Sequence, residues 1–230
     1  MSPRTGAPRL VRPLLLAFLA VAAVDLAGLL AGAEPVHLVA KPLLMPLLAA
    51  HAAARGGSRA LVAALLCGWA GDVLLMPASE GAFLAGMGCF AAGHVCYLVL
   101  FGRARPRPAA GLAYAAVLVA FLAYLWPGLP GDLRVPLTGY GLLLAAMAWR
   151  SGALGPCAAV GGALFLLSDA LIATGVAGRA EPPGHDFWIM LTYLAAQYLL
   201  TRGALGAPAR QERPAGAAAG VHRGGGAPLP

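Results

Sequence analysis

The chain consists of eight apolar runs of roughly bilayer-spanning length, separated by short connections rich in turn residues. The runs fall near 13–33, 36–54, 59–77, 81–102, 109–127, 134–149, 155–177 and 186–203. About 20 apolar residues of α-helix cross a hydrocarbon core, and a helix satisfies its own backbone polar groups there without water. Composition agrees with this reading. The chain is 60% hydrophobic and 11% charged, with a mean hydropathy of +0.78, whereas soluble domains carry about 25% charged residues. The expectation is an all-α polytopic membrane protein, an eight-transmembrane-helix bundle. Residues 1–12 read as a basic cytoplasmic N-terminus and 13–205 as the transmembrane domain. The Gly-, Ala- and Pro-rich segment 206–230 reads as a disordered cytoplasmic tail that cannot bury a core. The first run could also serve as a secretory signal ending at Ala31-Gly32-Ala33. Its length and its internal Asp25 favour a membrane span instead.

Basic residues set the orientation. With the N-terminus inside, 13 of the 16 Lys and Arg residues lie on the inner side, among them Arg12, Arg55, Arg59, Arg103, Arg150 and Arg202. Arg134 and Arg179 fall outside, and Lys41 lies within a span. The outer connections instead carry Glu34, Glu80, Asp132, Glu181 and Asp186. This split expects an integral protein of a bacterial-type plasma membrane with both termini cytoplasmic. The formal net charge of +7 is therefore a topology signal. No basic stripe interleaves with stacking aromatics, which argues against nucleic acid as a partner.

A few ionisable residues stand inside the apolar runs: Lys41, Asp72 and Asp169. Each costs about 2.5–3.5 kcal/mol at membrane depth on insertion scales, so such residues usually have a function. Asp72 and Asp169 lie four spans apart on helices of the same direction, hinting at two parallel four-helix halves. Tyr140 and Tyr193 belong to the same outer half of the bundle, with Gln197 and His94 nearer the middle, so one polar cavity is expected. Tyr193 and Gln197 share a helix stripe, as do Phe90, His94 and Tyr97. Gly68, Gly71, Gly93, Gly161 and Gly162 would let helix backbones approach closely. Two carboxylates in one apolar site do not readily ionise together, and a nearby ammonium favours the charged form of one. One can then act as an acid while the other acts as a base. The bland readings are that Lys41 snorkels to the headgroups, that the aspartates lock the bundle, and that His94 is a hydrogen-bonded core residue.

Other chemistry finds no support. Cys67, Cys89, Cys96 and Cys157 form no C-x-x-C pair and read as small hydrophobes, with neither a disulfide framework nor a metal site. There is no G-x-S-x-G elbow, no H-E-x-x-H and no phosphate-cradling G-x-x-x-x-G-K.

The words that hold the polar residues are themselves distinctive. They are Lys41-Pro42-Leu43 with Met45-Pro46, Gly71-Asp72-Val73-Leu74-Leu75, Ala92-Gly93-His94 with Tyr97, Phe165 with Ser168-Asp169, and Tyr193 with Gln197-Tyr198. In these words the chain resembles the YhhN-like lysoplasmalogenase family of integral membrane hydrolases. The resemblance implies hydrolysis of the vinyl-ether bond of a lysophospholipid, releasing a fatty aldehyde and a glycerophospho-alcohol, without a metal or organic cofactor. It implies Asp72 and Asp169 as the acid/base pair. Lys41 would bias their protonation or contact the lipid phosphate, while Tyr140, Tyr193 and Gln197 would orient water or headgroup. A small-solute or proton-coupled transporter is the alternative, because carboxylates and a lysine at membrane depth also suit alternating access. Reporter fusions test the topology. A fusion after Gly206 should read cytoplasmic and one within 179–185 external, and an external C-terminus would break the eight-span arrangement.

Overall fold

The computed structural model describes residues 8–77, 79–103 and 106–206, and these form eight α-helices and one short 3-10 turn. The helices are α1 (Pro8–Leu30), α2 (Glu34–Ala54), α3 (Arg59–Leu74), α4 (Glu80–Phe101), α5 (Pro108–Leu125), α6 (Arg134–Ser151), α7 (Pro156–Val176) and α8 (His185–Gly206). Among the described residues there is no strand. Five helices, α1, α2, α4, α5 and α7, are long and apolar enough to cross a membrane by length and composition alone. The other three are the 16-residue α3 and the helices α6 and α8, whose sequences include polar residues such as Tyr140, Tyr193 and Gln197. The tail expected at 207–230 lies outside the described residues.

The distribution of side chains is that of a bundle in lipid. Leu16, Val39, Val99, Leu112 and Val119 are exposed, while Asp25, His51, Asp72, His94, Ser151 and Gln197 are buried. A water-soluble domain would sort them the other way. The core of Phe18, Leu44, Leu65, Phe90, Tyr97, Phe165 and Leu200 joins most of the helices. Packing repeats between the halves of the chain. α1–α2, α2–α3 and α3–α4 pack in the first half, and α5–α6, α6–α7 and α7–α8 in the second. The halves then meet through α4 on α6 and through α8 on α1, α2 and α3. The carboxylates of Asp72 and Asp169 stand on the corresponding helices α3 and α7.

Two helix boundaries depart from the sequence expectation. α1 begins at Pro8, so Arg9 to Arg12 belong to the helix. Pro13 is tolerated because its missing N–H leaves just one early carbonyl unpaired, and the His51 Nδ1–H donates to the Val11 carbonyl at 2.9 Å, tying that turn to α2. α3 ends at Leu74 rather than near residue 77. Pro77 disfavours helical backbone at Met76, and the helix unwinds before it. Asp72 is therefore two residues from the end of its helix, about 3 Å of helical rise, while Asp169 is seven residues from the end of α7.

Small residues and one tryptophan make the packing close. A Cβ on Gly162 would fall 2.4 Å from Ser151 Oγ and 2.9 Å from the Ala148 backbone, and one on Gly161 would fall 2.9 Å from the Leu200 nitrogen. The Gly161-Gly162 pair thus seats α7 between α6 and α8. In α2, Pro46 removes the N–H that would have paired with the Pro42 carbonyl. Trp69 of α3 supplies the missing donor, its Nε1–H meeting that carbonyl at 2.9 Å. Replacing Trp69 with Phe keeps an aromatic ring but leaves the carbonyl unpaired. The expected loss is about 1–3 kcal/mol, read as a lower melting temperature of the purified protein in detergent.

Candidate functional site

Two carboxylates stand inside the bundle, and each receives a hydrogen bond from a tyrosine on another helix. Tyr193 of α8 donates to Asp72 Oδ2 at 2.7 Å, and Tyr140 of α6 donates to Asp169 Oδ2 through a short contact. Behind each tyrosine stands a further donor. Gln197 Nε2 donates to the Tyr193 oxygen at 3.3 Å, and the Tyr97 hydroxyl donates to Gln197 Oε1 at 2.6 Å. His94 Nε2 lies 3.1 Å from the Tyr140 oxygen. A phenol has one proton, and Tyr140 gives it to Asp169. His94 is therefore the donor in that contact and carries its hydrogen on Nε2. The result is two directional chains, Tyr97 to Gln197 to Tyr193 to Asp72 and His94 to Tyr140 to Asp169. Both start on α4, one turn apart, and both end on a carboxylate.

The local sequence explains this placement. Gly68 and Gly71 lie one turn apart on α3, beside Asp72. A Cβ at Gly68 would come within 3.0 Å of both Gln197 Nε2 and Tyr193 Oη, and one at Gly71 within 2.6 Å of the Phe90 ring. These glycines create the space that the Tyr97–Gln197–Tyr193 chain and Phe90 occupy. Ser168 donates to the Ile189 carbonyl at 3.0 Å, which locks α7 to α8 one residue before Asp169.

The aromatic rings between the two chains correct one expectation. Phe90 meets Phe165 and Tyr193 edge-to-face at 6.3 and 6.0 Å, and Phe165 meets Tyr193 and His94 at 5.5 and 4.8 Å. A cavity of about 290 Å³ is lined by α4, α5, α6 and α7, with Asp169, Tyr140 and Phe90 on its wall. Asp72, Lys41, Tyr193 and Gln197 do not line it. One polar cavity shared by all these groups is thus not what the packing produces, because Phe90 lies over Gly71 and covers that side of α3.

Outside that cavity, on α1 and α2, stand Asp25, His37 and Lys41. Lys41 makes no ion pair with Asp72 within 4.0 Å. Asp25 of α1 is fully buried, and its Oδ1 lies 2.8 Å from His37 Nδ1 on α2. Its Oδ2 has no hydrogen-bond partner. His37 and Lys41 are four residues apart and share a face of α2. Sequence reading singled out neither His37 nor a role for Asp25. The i, i+4 spacing of His37 and Lys41 beside an acid in the preceding run was the available signal. Among the described residues no three His, Cys, Asp or Glu side chains group as a metal site.

The fold and its polar interior define a polytopic membrane protein with paired intramembrane carboxylates. The YhhN family model matches residues 36–204, and the chain belongs to that family. It is 38% identical over 156 residues to the human lysoplasmalogenase TMEM86B, a match covering 66% of each chain. The pig lysoplasmalogenase TMEM86B is 39% identical over 161 residues, covering 69% of each. The lysoplasmalogenase of Mycobacterium tuberculosis is 35% identical over 159 residues, covering 63% of this chain and 60% of its own. No solved structure matches the chain. The family match begins after α1, yet α1 supplies Asp25, whose Oδ1 meets His37 of α2.

The hydrogen-bond chain onto Asp72 generates a stability test. Gln197→Leu strands the buried Tyr97 hydroxyl and should lower stability by about 1–3 kcal/mol. Adding Tyr97→Phe removes the stranded group and should recover much of that loss. The check is thermal unfolding of the three variants in one detergent. Additive losses would mean that the Tyr97–Gln197 bond does not form.

Proposed function

We propose that the protein is a lysoplasmalogenase-type membrane hydrolase that cleaves the vinyl-ether bond of lysophospholipids, with Asp72 and Asp169 as its acid/base pair. The reading rests on membership of a family whose curated relatives are lysoplasmalogenases. One structural observation carries the mechanism. Two buried carboxylates terminate separate hydrogen-bond chains, and one of them faces a cavity walled by hydrocarbon.

The chemistry balances with two carboxyl groups. The acid transfers its proton to the β-carbon of the vinyl ether, and the electron pair of the double bond forms the new C–H bond. The ether oxygen shares the resulting positive charge as an oxocarbenium ion. The second carboxylate takes a proton from water as the water oxygen bonds to the α-carbon, giving a hemiacetal. In the collapse, the glycerol oxygen leaves with the proton held by that second carboxyl. The hemiacetal hydroxyl returns its own proton to the first carboxylate. A fatty aldehyde and a glycerophospho-alcohol depart, and both carboxyls are restored with no external oxidant, reductant or net proton. Low dielectric surroundings strengthen each of these electrostatic effects.

Supporting roles follow from the contacts. Tyr140 and Tyr193 hold one oxygen of each carboxylate and leave the other for proton transfer. His94 orients Tyr140, and Gln197 orients Tyr193. Lys41 balances the charge of Asp72 and, as a cation in the outer half of the proposed topology, suits a lipid phosphate. The catalytic unit is the helical bundle, expected in a bacterial-type plasma membrane with both termini cytoplasmic.

Asp72→Asn and Asp169→Asn keep side-chain size and remove the titrating proton. Each should slow aldehyde release from a lysoplasmalogen by about 100-fold or more, while the protein stays monodisperse. The double variant should be little slower than the worse single one, because groups acting as a unit are not additive. Near-normal turnover by either Asn variant would remove that aspartate from the chemistry. Turnover by purified protein in detergent also separates a hydrolase from a transporter, which has no gradient to use there.

A further inference from the structure

The two carboxylates are chemically alike but differently placed, and the difference lies in the cavity. Its wall is apolar apart from Asp169 and Tyr140, with Met87 of α4, Phe121 of α5, Leu144 of α6 and Ala163 of α7 around it. A stably held water needs two to four polar partners, and most of this wall supplies none. The cavity also opens sideways. α5 packs on α6, and it meets α7 only at its end, where Phe121 and Leu125 share an apolar cluster with Ala173 and Val176. Two residues of the lining, Val117 on α5 and Leu167 on α7, are 58% and 48% exposed on the surface that faces lipid. Ala163 is six residues before Asp169 on the same helix, so the cavity runs about 9 Å along the bundle from the carboxylate toward the basic-loop end.

We propose that this cavity seats the hydrocarbon chain of the lipid substrate, with the ether end at Asp169 and Tyr140 and the chain running past Ala163 and Val117 toward the bilayer. The inference deepens the hydrolase reading and rests on it. The occupant follows from continuity with the proposed site. An apolar cavity that carries a carboxylate partway along its wall and opens to lipid fits a single-chain amphiphile whose reactive bond lies at the head of its chain. It also assigns unequal parts. Asp169 meets the vinyl ether from the cavity, and Asp72, which does not line it, approaches the reacting carbon from the opposite side, where Lys41, His37 and Asp25 stand. Headgroup and chain then leave the reacting carbon in opposite directions, one toward the acidic-loop end of the bundle and the other along α7.

The test uses the purified full chain in mixed micelles and has two arms. In the first, aldehyde release is measured for lysoplasmalogens with octenyl and octadecenyl chains, in the wild type and in Ala163→Phe. A ring at Ala163 blocks the path of the long chain, so the ratio of kcat/KM for long over short chains should fall by about tenfold or more, the scale of steric discrimination in an apolar pocket. An unchanged ratio would overturn the proposal. The second arm needs no turnover and no variant. A non-hydrolysable 1-O-alkyl lysophospholipid with a diazirine at the chain terminus is photolysed with the wild type. Labelling in 112–122 or 160–167, competed by unlabelled alkyl lysolipid, supports the cavity as the chain's seat. Labelling confined to other helices overturns it. Failure of the wild type to release aldehyde from any lysoplasmalogen would instead defeat the hydrolase reading, and the labelling arm would still decide whether the cavity takes a lipid chain.

Discussion

Everything at the centre of this bundle depends on supplying hydrogen-bond donors to two carboxylates in a place without water. An unpartnered charge in hydrocarbon costs several kcal/mol. The structure meets that cost with two donor chains rather than with ion pairs. Tyr97, Gln197 and Tyr193 all point their donors toward Asp72, and His94 and Tyr140 point theirs toward Asp169. Such chains polarise in one direction, so each bond reinforces the next. They also join α4 to α6, α7 and α8, and α8 to α3. The groups proposed for chemistry therefore also hold the helices in register.

The same scarcity of partners governs the backbone. Prolines inside transmembrane helices are tolerated where another group satisfies the freed carbonyl. Trp69 does this for the Pro42 carbonyl, made available by Pro46, and the contact joins α2 to α3 just below Lys41 and Asp72. Glycine has the complementary part. Gly68, Gly71, Gly161 and Gly162 remove the side chains that would keep helices apart, and larger polar or aromatic groups fill the space. The words Lys-Pro-Leu, Gly-Asp and Ser-Asp are thus joint solutions to packing and hydrogen bonding. Each places a functional group beside the residue that makes room for it or ties it down.

The two halves of the chain carry the same helix order and the same packing pairs, yet their interiors differ. In the first half, Asp25 of α1 and His37 of α2 meet at 2.8 Å, with Lys41 on the same face of α2 as His37. In the second half, the space under α5 beside Asp169 is open and apolar. A lipid offers one charged end and one hydrocarbon end. In the proposed reading, the half with Asp25, His37 and Lys41 receives the first and the half with the apolar cavity receives the second.

Much of this was legible in the sequence. Eight apolar runs and lopsided basic loops defined eight helices, because an α-helix pairs its own backbone and hydropathy over about 20 residues is a local property. The stranded charges marked Asp72, Asp169 and Lys41, because their cost in lipid depends on residue type alone. Tyr140, Tyr193, Gln197 and His94 were drawn in by depth and helical phase, and all four lie on the two donor chains. Three things depended on tertiary packing. His37 and Asp25 are an ordinary histidine and aspartate until α1 folds over α2. The separation of Asp72 from the cavity depends on where one ring, Phe90, comes to rest against Gly71. The cavity itself exists because α5 leans on α6 and leaves a gap beside α4 and α7. Hydropathy and helical period act within a segment, so one sequence states them. Which side chain fills the space between segments depends on distances among several helices at once, and those are settled when the helices pack.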